Sequence, residues 1–296
     1  MDKIKYFSSF TGIGGLDMGL EEIGAECVGF SEIKKSSIEI YNKNYPDRKN
    51  YGDLTKIDPS SLPDFDLFIG GFPCQSFSLA GLRKGFGDKR GHMIFYIYDI
   101  LIKKKPKFVV LENVKGLLNH DKGKTYENVL KLLVHAGYNV RVLLLNSLNY
   151  GSAQNRERLL FLCSKEQFDL KIPVIVDNKK VFRDIIDIDE TNYKLIPNND
   201  RNFAKVEQQR VFNFELIGGY DKVGTLTTQY GCGEKVVQYK EWFRYLTPLE
   251  CERLQGFPDN WTKGVKNNNR YFALGNAVNC NVSKYLFKEY LKNVWW

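Results

Sequence analysis

Apolar and polar positions follow two different periods along the first 164 residues of the chain. Short apolar runs bounded by glycine, proline or polar residues predict buried strands. These runs cover residues 4–10, 27–31, 65–69, 108–111, 140–145 and 158–163. Apolar positions at helical spacing between the runs predict helices. The helices cover a segment around Leu16, Leu20 and Ile23, and residues 35–44, 93–102 and 125–136. Alternating strands and helices predict an α/β fold with a mostly parallel, doubly wound sheet.

The regular alternation ends near residue 164. Residues 165–245 contain short β-like runs and turn clusters, which predict a smaller, irregular, β-rich domain. A helix is predicted to begin at Thr247-Pro248-Leu249-Glu250, since proline is typical of the first helical turn. A last helix is predicted from about residue 276 to the end. The sequence therefore predicts one domain from residues 1–164 together with 246–296, and a second from 165–245.

The charge of the chain fits a polyanionic partner. The formal net charge is +8 at pH 7 and the isoelectric point is about 9.0. Residues 165–245 carry 13 basic and 13 acidic side chains, so the whole positive excess lies outside them. Many basic proteins bind no nucleic acid, and the charge alone leaves the partner open.

The composition narrows the class of protein. Apolar residues make up 43% and charged residues 26% of the chain, as in ordinary globular proteins. Neither a signal peptide nor a run long enough to span a bilayer is found, so we expect a cytoplasmic protein without a membrane partner. The six cysteines lack Cys-x-x-Cys spacing, and the three histidines lie far apart. We therefore expect reduced thiols and no metal site.

One cysteine stands at a position suited to chemistry. The predicted strand 65–69 is followed by Gly70-Gly71-Phe72-Pro73-Cys74-Gln75, in which glycine and proline predict a turn. Cys74 would then lie at the carboxyl end of a strand, where open α/β sheets bind ligands. It is a candidate nucleophile, although a lone cysteine is more often a small buried hydrophobe.

Two other strand ends and the residue Asp53 suggest an adenosine-bearing ligand. A glycine-rich turn at residues 11–15 follows the first strand, and glycines allow a ligand to approach the backbone. Glu32 ends the second strand and could accept hydrogen bonds from ribose hydroxyls, while Asp53 could accept one from an exocyclic amine. The alternative is a structural turn with two solvated acids.

Charged residues also end the later strands. Glu112 follows an apolar run, and a carboxyl that is partly desolvated there has a raised pKa and can donate a proton. Arg156 and Arg158 alternate at the start of a strand, so one can point into a site while the other packs elsewhere. Alternatively, the glutamate caps a helix and both arginines are solvated.

Several of these segments resemble, in order, the motifs of the DNA cytosine-5 methyltransferases of bacterial and phage restriction-modification systems. The resemblance covers about residues 4–164 and 245–290. The matching motifs are Phe10-Thr11-Gly12-Ile13-Gly14-Gly15, Gly71-Phe72-Pro73-Cys74-Gln75, Glu112-Asn113-Val114, Gln154-Asn155-Arg156-Glu157-Arg158, Leu246-Thr247-Pro248-Leu249-Glu250-Cys251, Gln255-Gly256-Phe257-Pro258 and Gly275-Asn276-Ala277-Val278. The resemblance implies a Rossmann-like mixed sheet and a target-recognition domain at residues 165–245.

The resemblance also implies a mechanism. Cys74 would attack carbon 6 of a cytosine extruded from double-stranded DNA, which activates carbon 5 for methylation. Glu112 would donate to ring nitrogen 3, Arg156 would contact oxygen 2, and Arg158 would support the site. S-adenosylmethionine would be the methyl donor and S-adenosylhomocysteine the product. The residues implied to bind this cofactor are Phe10, Gly12, Ile13, Gly14, Glu32, Ile33, Asp53, Leu54, Pro73, Asn276 and Ala277. The family often has serine at the position of Ala277.

DNA contacts are implied in two segments. Residues 76–91 are glycine-rich and basic, and they resemble a lid that closes over the extruded base. Part of residues 165–245 resembles the sequence-reading element. The implied DNA-binding residues are Arg83, Lys84, Arg90, Thr225, Leu226, Thr227, Gln229 and Tyr230. An ordinary basic loop and a plain β-turn tip are the alternatives.

Two other functions stay open at this level. One is a tRNA cytosine-5 methyltransferase with the same catalytic core, and the other is a catalytically silent relative that only binds cofactor or DNA. We expect a monomer that is paired genetically with a restriction endonuclease. The recognition sequence cannot be read from residues 165–245.

Overall fold

The structure of the chain is a computed structural model. The described residues are 3–73, 93–168, 180–187, 189, 196–197, 215–217, 222–228, 235–239 and 242–294.

A six-stranded mixed sheet forms the centre of the fold. Its strands are β1 (Lys5–Ser9), β2 (Glu26–Ser31), β3 (Leu67–Gly71), β4 (Phe108–Val114), β5 (Asn139–Asn146) and β6 (Glu157–Ser164). The strand order is β2-β1-β3-β4-β6-β5, in which β1 to β4 are parallel and β6 runs antiparallel to β4 and β5. The link between β5 and β6 is too short for a crossover helix, so this pair must be antiparallel. The predicted mixed, doubly wound sheet is confirmed.

Helices cover both faces of this sheet. They are α1 (Asp17–Glu22), α2 (Lys35–Asn44), α3 (Met93–Lys104), α4 (Lys124–His135), α5 (Pro248–Gln255), α6 (Asn267–Asn276) and α7 (Cys280–Val294). Alternate strand residues face opposite layers. Phe68 packs in the cluster with α3 and α4, whereas Leu67 and Ile69 pack in the cluster with α1 and α7. The carboxyl ends of β1, β3 and β4 therefore remain open at one edge.

Two predicted boundaries were wrong in ways that affect the site. The strand predicted at 65–69 runs from Leu67 to Gly71, so both glycines before Cys74 belong to it. The last helix, predicted from about residue 276, begins at Cys280 as α7, and the preceding helix α6 was not predicted. Its first turn is Asn267-Asn268-Asn269, which has weak intrinsic helix propensity. A Cβ on Gly275 would lie 2.3 Å from the Thr227 carbonyl oxygen, so close packing stabilises this helix.

A second sheet lies within the irregular middle segment. It contains β7 (Ile196–Pro197), β8 (Glu215–Ile217), β9 (Lys235–Tyr239) and β10 (Trp242–Tyr245), in the order β7-β10-β9-β8. The β8–β9 pair is parallel, and the other two pairs are antiparallel. The division of the chain into two domains stays a prediction.

The cysteines differ in part from the expectation. Cys27, Cys163 and Cys280 are free thiols, but Cys251 is disulfide-bonded, so the expectation of reduced thiols was wrong there. In the described part of the chain, no helix is long and apolar enough to cross a membrane. The same residues contain no group of three or more potential metal ligands.

Candidate active site

A cavity of about 450 Å³ opens at the carboxyl ends of β1, β3 and β4. This volume lies in the range of small-molecule sites, and parallel strands commonly bind ligands at this edge. The walls come from the β1–α1 loop, the β2–α2 turn, the ends of β3 and β4, the start of β6 and the end of α6. The predicted residues that line it are Phe10, Gly12, Glu32, Pro73, Glu112, Arg156, Arg158, Asn276 and Ala277.

The β1–α1 loop has a constrained backbone. Phe10 adopts a φ of 49°, which is uncommon for a residue with a side chain and concentrates at functional sites. A Cβ on Gly15 would lie 2.3 Å from the carbonyl oxygen of Val278, so only glycine fits there. The loop is thereby held against the segment that follows α6, and both line the cavity.

Glu32 is oriented by the backbone around it. Its Oε2 accepts a hydrogen bond from the Gly12 N–H at 2.9 Å, and its Oε1 accepts from the N–H groups of Ile33 and Lys34 at 2.8 Å each. A carboxylate has about four acceptor positions, so these three donors leave room for a ligand hydroxyl. The Ile33 side chain is 69% exposed beside it.

Ile33 and four other predicted cofactor residues are not among the residues that line the cavity. Ile13 is buried, and its carbonyl accepts a hydrogen bond from Trp261 Nε1 at 2.9 Å. Gly14 packs against tyrosine rings, and Leu54 is buried. Asp53 accepts hydrogen bonds from Thr55, which lower the pKa of its carboxyl. Their contact with a cofactor stays a prediction.

Glu112 and Arg158 form an ion pair inside the cavity. Arg158 Nε lies 3.0 Å from Glu112 Oε1. In the ladder, Arg158 stands opposite Val114, two residues from Glu112, so both side chains share a face. Burial raises the pKa of Glu112, and the positive charge of Arg158 opposes this rise. The carboxyl can therefore hold a proton at a higher pH than an exposed glutamate.

The carboxyl of Glu112 also lies beside the strand that leads to Cys74. Gly71 pairs with Glu112 across β3 and β4, and a Cβ on Gly71 would be 3.0 Å from Glu112 Oε2. Asn113 donates a hydrogen bond to the carbonyl of Phe72 at 2.9 Å, which holds the two strand ends together. The Glu112 carboxyl and the end of β3 are thus adjacent.

Arg156 has a different environment from Arg158. Its side chain is 2% exposed, and its guanidinium donates to the carbonyls of Leu226, Gly275 and Ala277 at 3.1, 2.9 and 2.8 Å. Burial lowers the pKa of Arg156, and the neighbouring charge of Arg158 adds to this effect. The base contact that the family resemblance implies for Arg156 stays a prediction, and in the structure its guanidinium binds three backbone carbonyls.

Asp17 is a cavity residue that the sequence analysis missed. It is 1% exposed and accepts hydrogen bonds from Tyr41 Oη at 2.6 Å and Ser8 Oγ at 3.0 Å. Burial raises the pKa of this carboxyl, and Arg48 at 3.5 Å opposes the rise. Its position two residues after the glycine-rich turn was a signal that could have identified it. Lys34 and Phe272 also line the cavity and were not predicted.

Several predicted residues lie outside the described part of the chain. They are Cys74, Arg83, Lys84, Arg90, Gln229 and Tyr230, together with the predicted lid at 76–91. Thr225, Leu226 and Thr227 are described. Thr225 Oγ1 donates to the Asn155 carbonyl at 2.8 Å, Leu226 is buried and Thr227 is exposed.

Comparisons with known proteins identify the family and support the fold. Residues 4–292 match the family of C-5 cytosine-specific DNA methylases. The chain is 32% identical to the type II methyltransferase M.HhaI of Haemophilus parahaemolyticus, over 96% of the chain and 93% of that protein. It is 35% identical to M.NlaX of Neisseria lactamica, over 93% and 92%. The crystal structure of the S. pombe Dnmt2 methyltransferase matches 99% of the chain and 100% of its own with a TM-score of 0.81, and at 22% identity it supports the fold.

Proposed function

Because the chain belongs to the C-5 cytosine-specific DNA methylase family, we propose that its cavity binds S-adenosylmethionine and that Cys74 attacks an extruded cytosine. The family and its type II relatives identify the chain as a DNA cytosine-5 methyltransferase. The main support for the proposed chemistry is the buried Glu112–Arg158 pair, which faces the same cavity as Glu32 and the glycine-rich loop.

The residues of the cavity fit the proposed cofactor. Glu32 has acceptor capacity left for ribose hydroxyls. The exposed Ile33, which follows it in the chain and lies outside the cavity lining, offers an apolar surface for adenine. When bound, S-adenosylmethionine supplies an electrophilic methyl group on a sulfonium. The residues proposed to hold it are Phe10, Gly12, Ile13, Gly14, Glu32, Ile33, Asp53, Leu54, Pro73, Asn276 and Ala277.

In the proposed mechanism, the Cys74 thiolate forms a bond to carbon 6 of cytosine. The electron pair of the 5,6 double bond then makes carbon 5 nucleophilic, as in an enamine. Protonated Glu112 donates to nitrogen 3 and offsets the negative charge that develops on the ring. After methylation, carbon 5 loses its proton to a base and the Cys74 thiolate leaves carbon 6. These two losses restore the double bond, and the proton on nitrogen 3 returns to Glu112, which restores the free enzyme.

Arg158 is the better candidate for the contact with the base. Its Nε pairs with Glu112, and its Nη1 donates to the Glu157 carbonyl at 2.7 Å. Among the described residues, Nη2 has no assigned partner and can donate to cytosine oxygen 2. Arg156 instead shapes the cavity wall through its three carbonyl partners.

The remaining proposals concern the DNA. A cytosine inside a duplex cannot reach the cavity, so the base must leave the stack. We assign the lid to residues 76–91, with Arg83, Lys84 and Arg90 on phosphates, and target recognition to residues 165–245. There Thr225, Leu226, Thr227, Gln229 and Tyr230 are the candidate contacts. The enzyme would act as a monomer, paired genetically with a restriction endonuclease.

The test is bisulfite sequencing of DNA from cells that express the protein. We expect protected cytosines at one recurring sequence, and none with Cys74→Ser, which should still bind cofactor and DNA. Cys27→Ser is the matched control, because burial raises the pKa of this half-buried thiol to about 11 and it lies outside the cavity lining. It should retain activity.

Three outcomes would contradict parts of the proposal. Near wild-type methylation by Cys74→Ser would exclude the covalent mechanism. Methylation of purified tRNA but not of duplex DNA would favour the tRNA enzyme. Absence of methylation with retained DNA binding would favour the catalytically silent relative.

A further inference from the structure

Among the described residues, three positively charged side chains line the cavity. Two of them already bind other groups of the protein. Arg156 donates to three carbonyls, and Arg158 pairs with Glu112. The third is Lys34, for which the described residues provide neither a carboxylate nor a hydrogen-bond acceptor. Its Nζ lies 3.6 Å from the centre of the Phe272 ring, in a cation–π contact.

The position of Lys34 is set by the residue that would hold the ribose. Its N–H donates to Glu32 Oε1, and its extended backbone precedes the first turn of α2. From there the side chain crosses to Phe272 on α6, and both residues line the cavity. Phe272 lies one turn before Asn276, whose Nδ2 donates to the Phe272 carbonyl at 3.1 Å. Lys34 therefore connects the Glu32 side of the cavity to the α6 side.

The charges of the cavity leave one part of the cofactor without a partner. S-adenosylmethionine carries a sulfonium, an α-ammonium and an α-carboxylate. The acidic side chains in the lining, Asp17, Glu32 and Glu112, offer no positive charge to the α-carboxylate. The nearby hydroxyls of Ser8 and Thr11 are already used, because Thr11 donates to Ser8 and Ser8 donates to Asp17. The α-carboxylate needs a cation, and Lys34 is the uncommitted one.

We propose that Lys34 binds the α-carboxylate of the cofactor and makes the cavity selective for an adenosine that carries a complete amino-acid tail. This inference rests on the proposed cofactor. The ammonium rests on the Phe272 ring when the tail is absent and pairs with the carboxylate when it is present. A charge-assisted ion pair with a carboxylate is stronger than the cation–π contact with Phe272 in the same cavity.

Calorimetry with two ligands tests the proposal. The ligands are S-adenosylhomocysteine and its decarboxylated analogue, which has the same adenosine, thioether and amine but lacks the carboxylate. For Lys34→Met, which retains a long apolar side chain, we expect binding of S-adenosylhomocysteine to weaken about tenfold. Binding of the decarboxylated analogue should be unchanged.

Two variants serve as controls. Lys35→Met makes the same change in net charge at the neighbouring exposed residue, which lies outside the cavity lining, and should leave both affinities unchanged. Lys34→Arg keeps the positive charge and should restore most of the preference for S-adenosylhomocysteine, which shows that the site still folds.

An equal loss for both ligands, or no loss for either, would overturn the role of Lys34. The same holds if Lys34→Arg behaves like Lys34→Met. If the unmodified protein binds neither ligand, the result counts against the proposed cofactor itself, and the two failures are therefore distinguishable.

Discussion

At the residue scale, Arg156 and Arg158 stand two positions apart and have different partners. Arg156 is fully enclosed and donates to three carbonyls, whereas Arg158 faces the cavity and pairs with one carboxylate. Removing Arg156 leaves buried acceptors without donors, and removing Arg158 leaves a carboxyl that can take up a proton instead. Stability should therefore depend mainly on Arg156, and catalysis on Arg158.

Matched substitutions separate these two effects. Arg156→Met should lower the free energy of unfolding by about 3 kcal/mol or more, since a buried charge-assisted network is lost. Arg158→Met should lower it by on the order of 1 kcal/mol but reduce the methylation rate severely. Urea unfolding and single-turnover methylation measure the two quantities. A stable Arg156→Met protein would contradict the structural role.

Glu112 should make the reaction depend on pH. Burial raises its pKa, so the folded protein keeps the carboxyl protonated to a higher pH than the usual value of about 4.3 allows. If the protonated form is the donor, kcat/KM falls as the pH rises through the raised pKa. Glu112→Gln cannot titrate, so it should lose this falling limb and react about 10²- to 10⁴-fold more slowly. An unchanged limb in this variant would refute the role.

At the element scale, α5 connects the catalytic sheet with the middle segment. Thr247 caps the helix by accepting from the Glu250 N–H at 3.1 Å. Glu250 forms a two-point ion pair with Arg244 of β10, at 2.6 and 2.8 Å, and both side chains are fully buried. Glu250 also accepts from the Asp187 N–H at 2.9 Å. One carboxylate therefore anchors the second sheet and residues 182–187 to the helix.

Glu250→Gln should destabilise the protein strongly. It removes the charge that compensates the buried Arg244 guanidinium, which costs about 3–5 kcal/mol in comparable cases. Thermal unfolding monitored by circular dichroism measures the loss. Lys131→Met is the control, because its pair with Glu127 on α4 is exposed and is worth about 0.5 kcal/mol. Equal melting temperatures for the two variants would contradict the anchoring role of Glu250.

At the scale of the whole molecule, both ends of the chain form the cavity. Trp261 Nε1 donates to the carbonyl of Ile13, and Ser283 Oγ donates to the carbonyl of Gly15 at 2.7 Å. The β1–α1 loop is thus held by residues more than 240 positions away. Ligand binding in the cavity should stabilise the protein as one cooperative unit.

S-adenosylhomocysteine should therefore raise the melting temperature. At a concentration 100 times its dissociation constant, a ligand that binds only the folded state adds about 2.7 kcal/mol to the free energy of unfolding. Differential scanning calorimetry should show one transition that moves upward as the ligand concentration increases. Adenosine alone at the same concentration is the control and should shift it less. A melting temperature that does not change with S-adenosylhomocysteine would argue against the cofactor site.

The local pattern of residues predicted the strands of the main sheet and placed Glu32 and Glu112 at strand ends. Strand period and turn residues are local properties, so they can be read without the fold. Helix α6 was not predicted because its asparagine-rich start has weak helix propensity, and its close contact with Thr227 is not visible in the local sequence. The two-residue shift of β3 likewise follows from its pairing with β4.

The sequence by itself determined the fold class, the family and the glycine-rich turn with its nearby acids, since ordered motifs and periodicity are contained in the order of residues. The tertiary structure alone decided which arginine meets Glu112, that Asp17 reaches the cavity, and that Lys34 crosses to Phe272. These facts depend on burial and on partners distant in the chain. Burial and distant partners determine whether a side chain is charged and which of its donors are free. The residues next to a side chain in the sequence reveal neither its burial nor its distant partners.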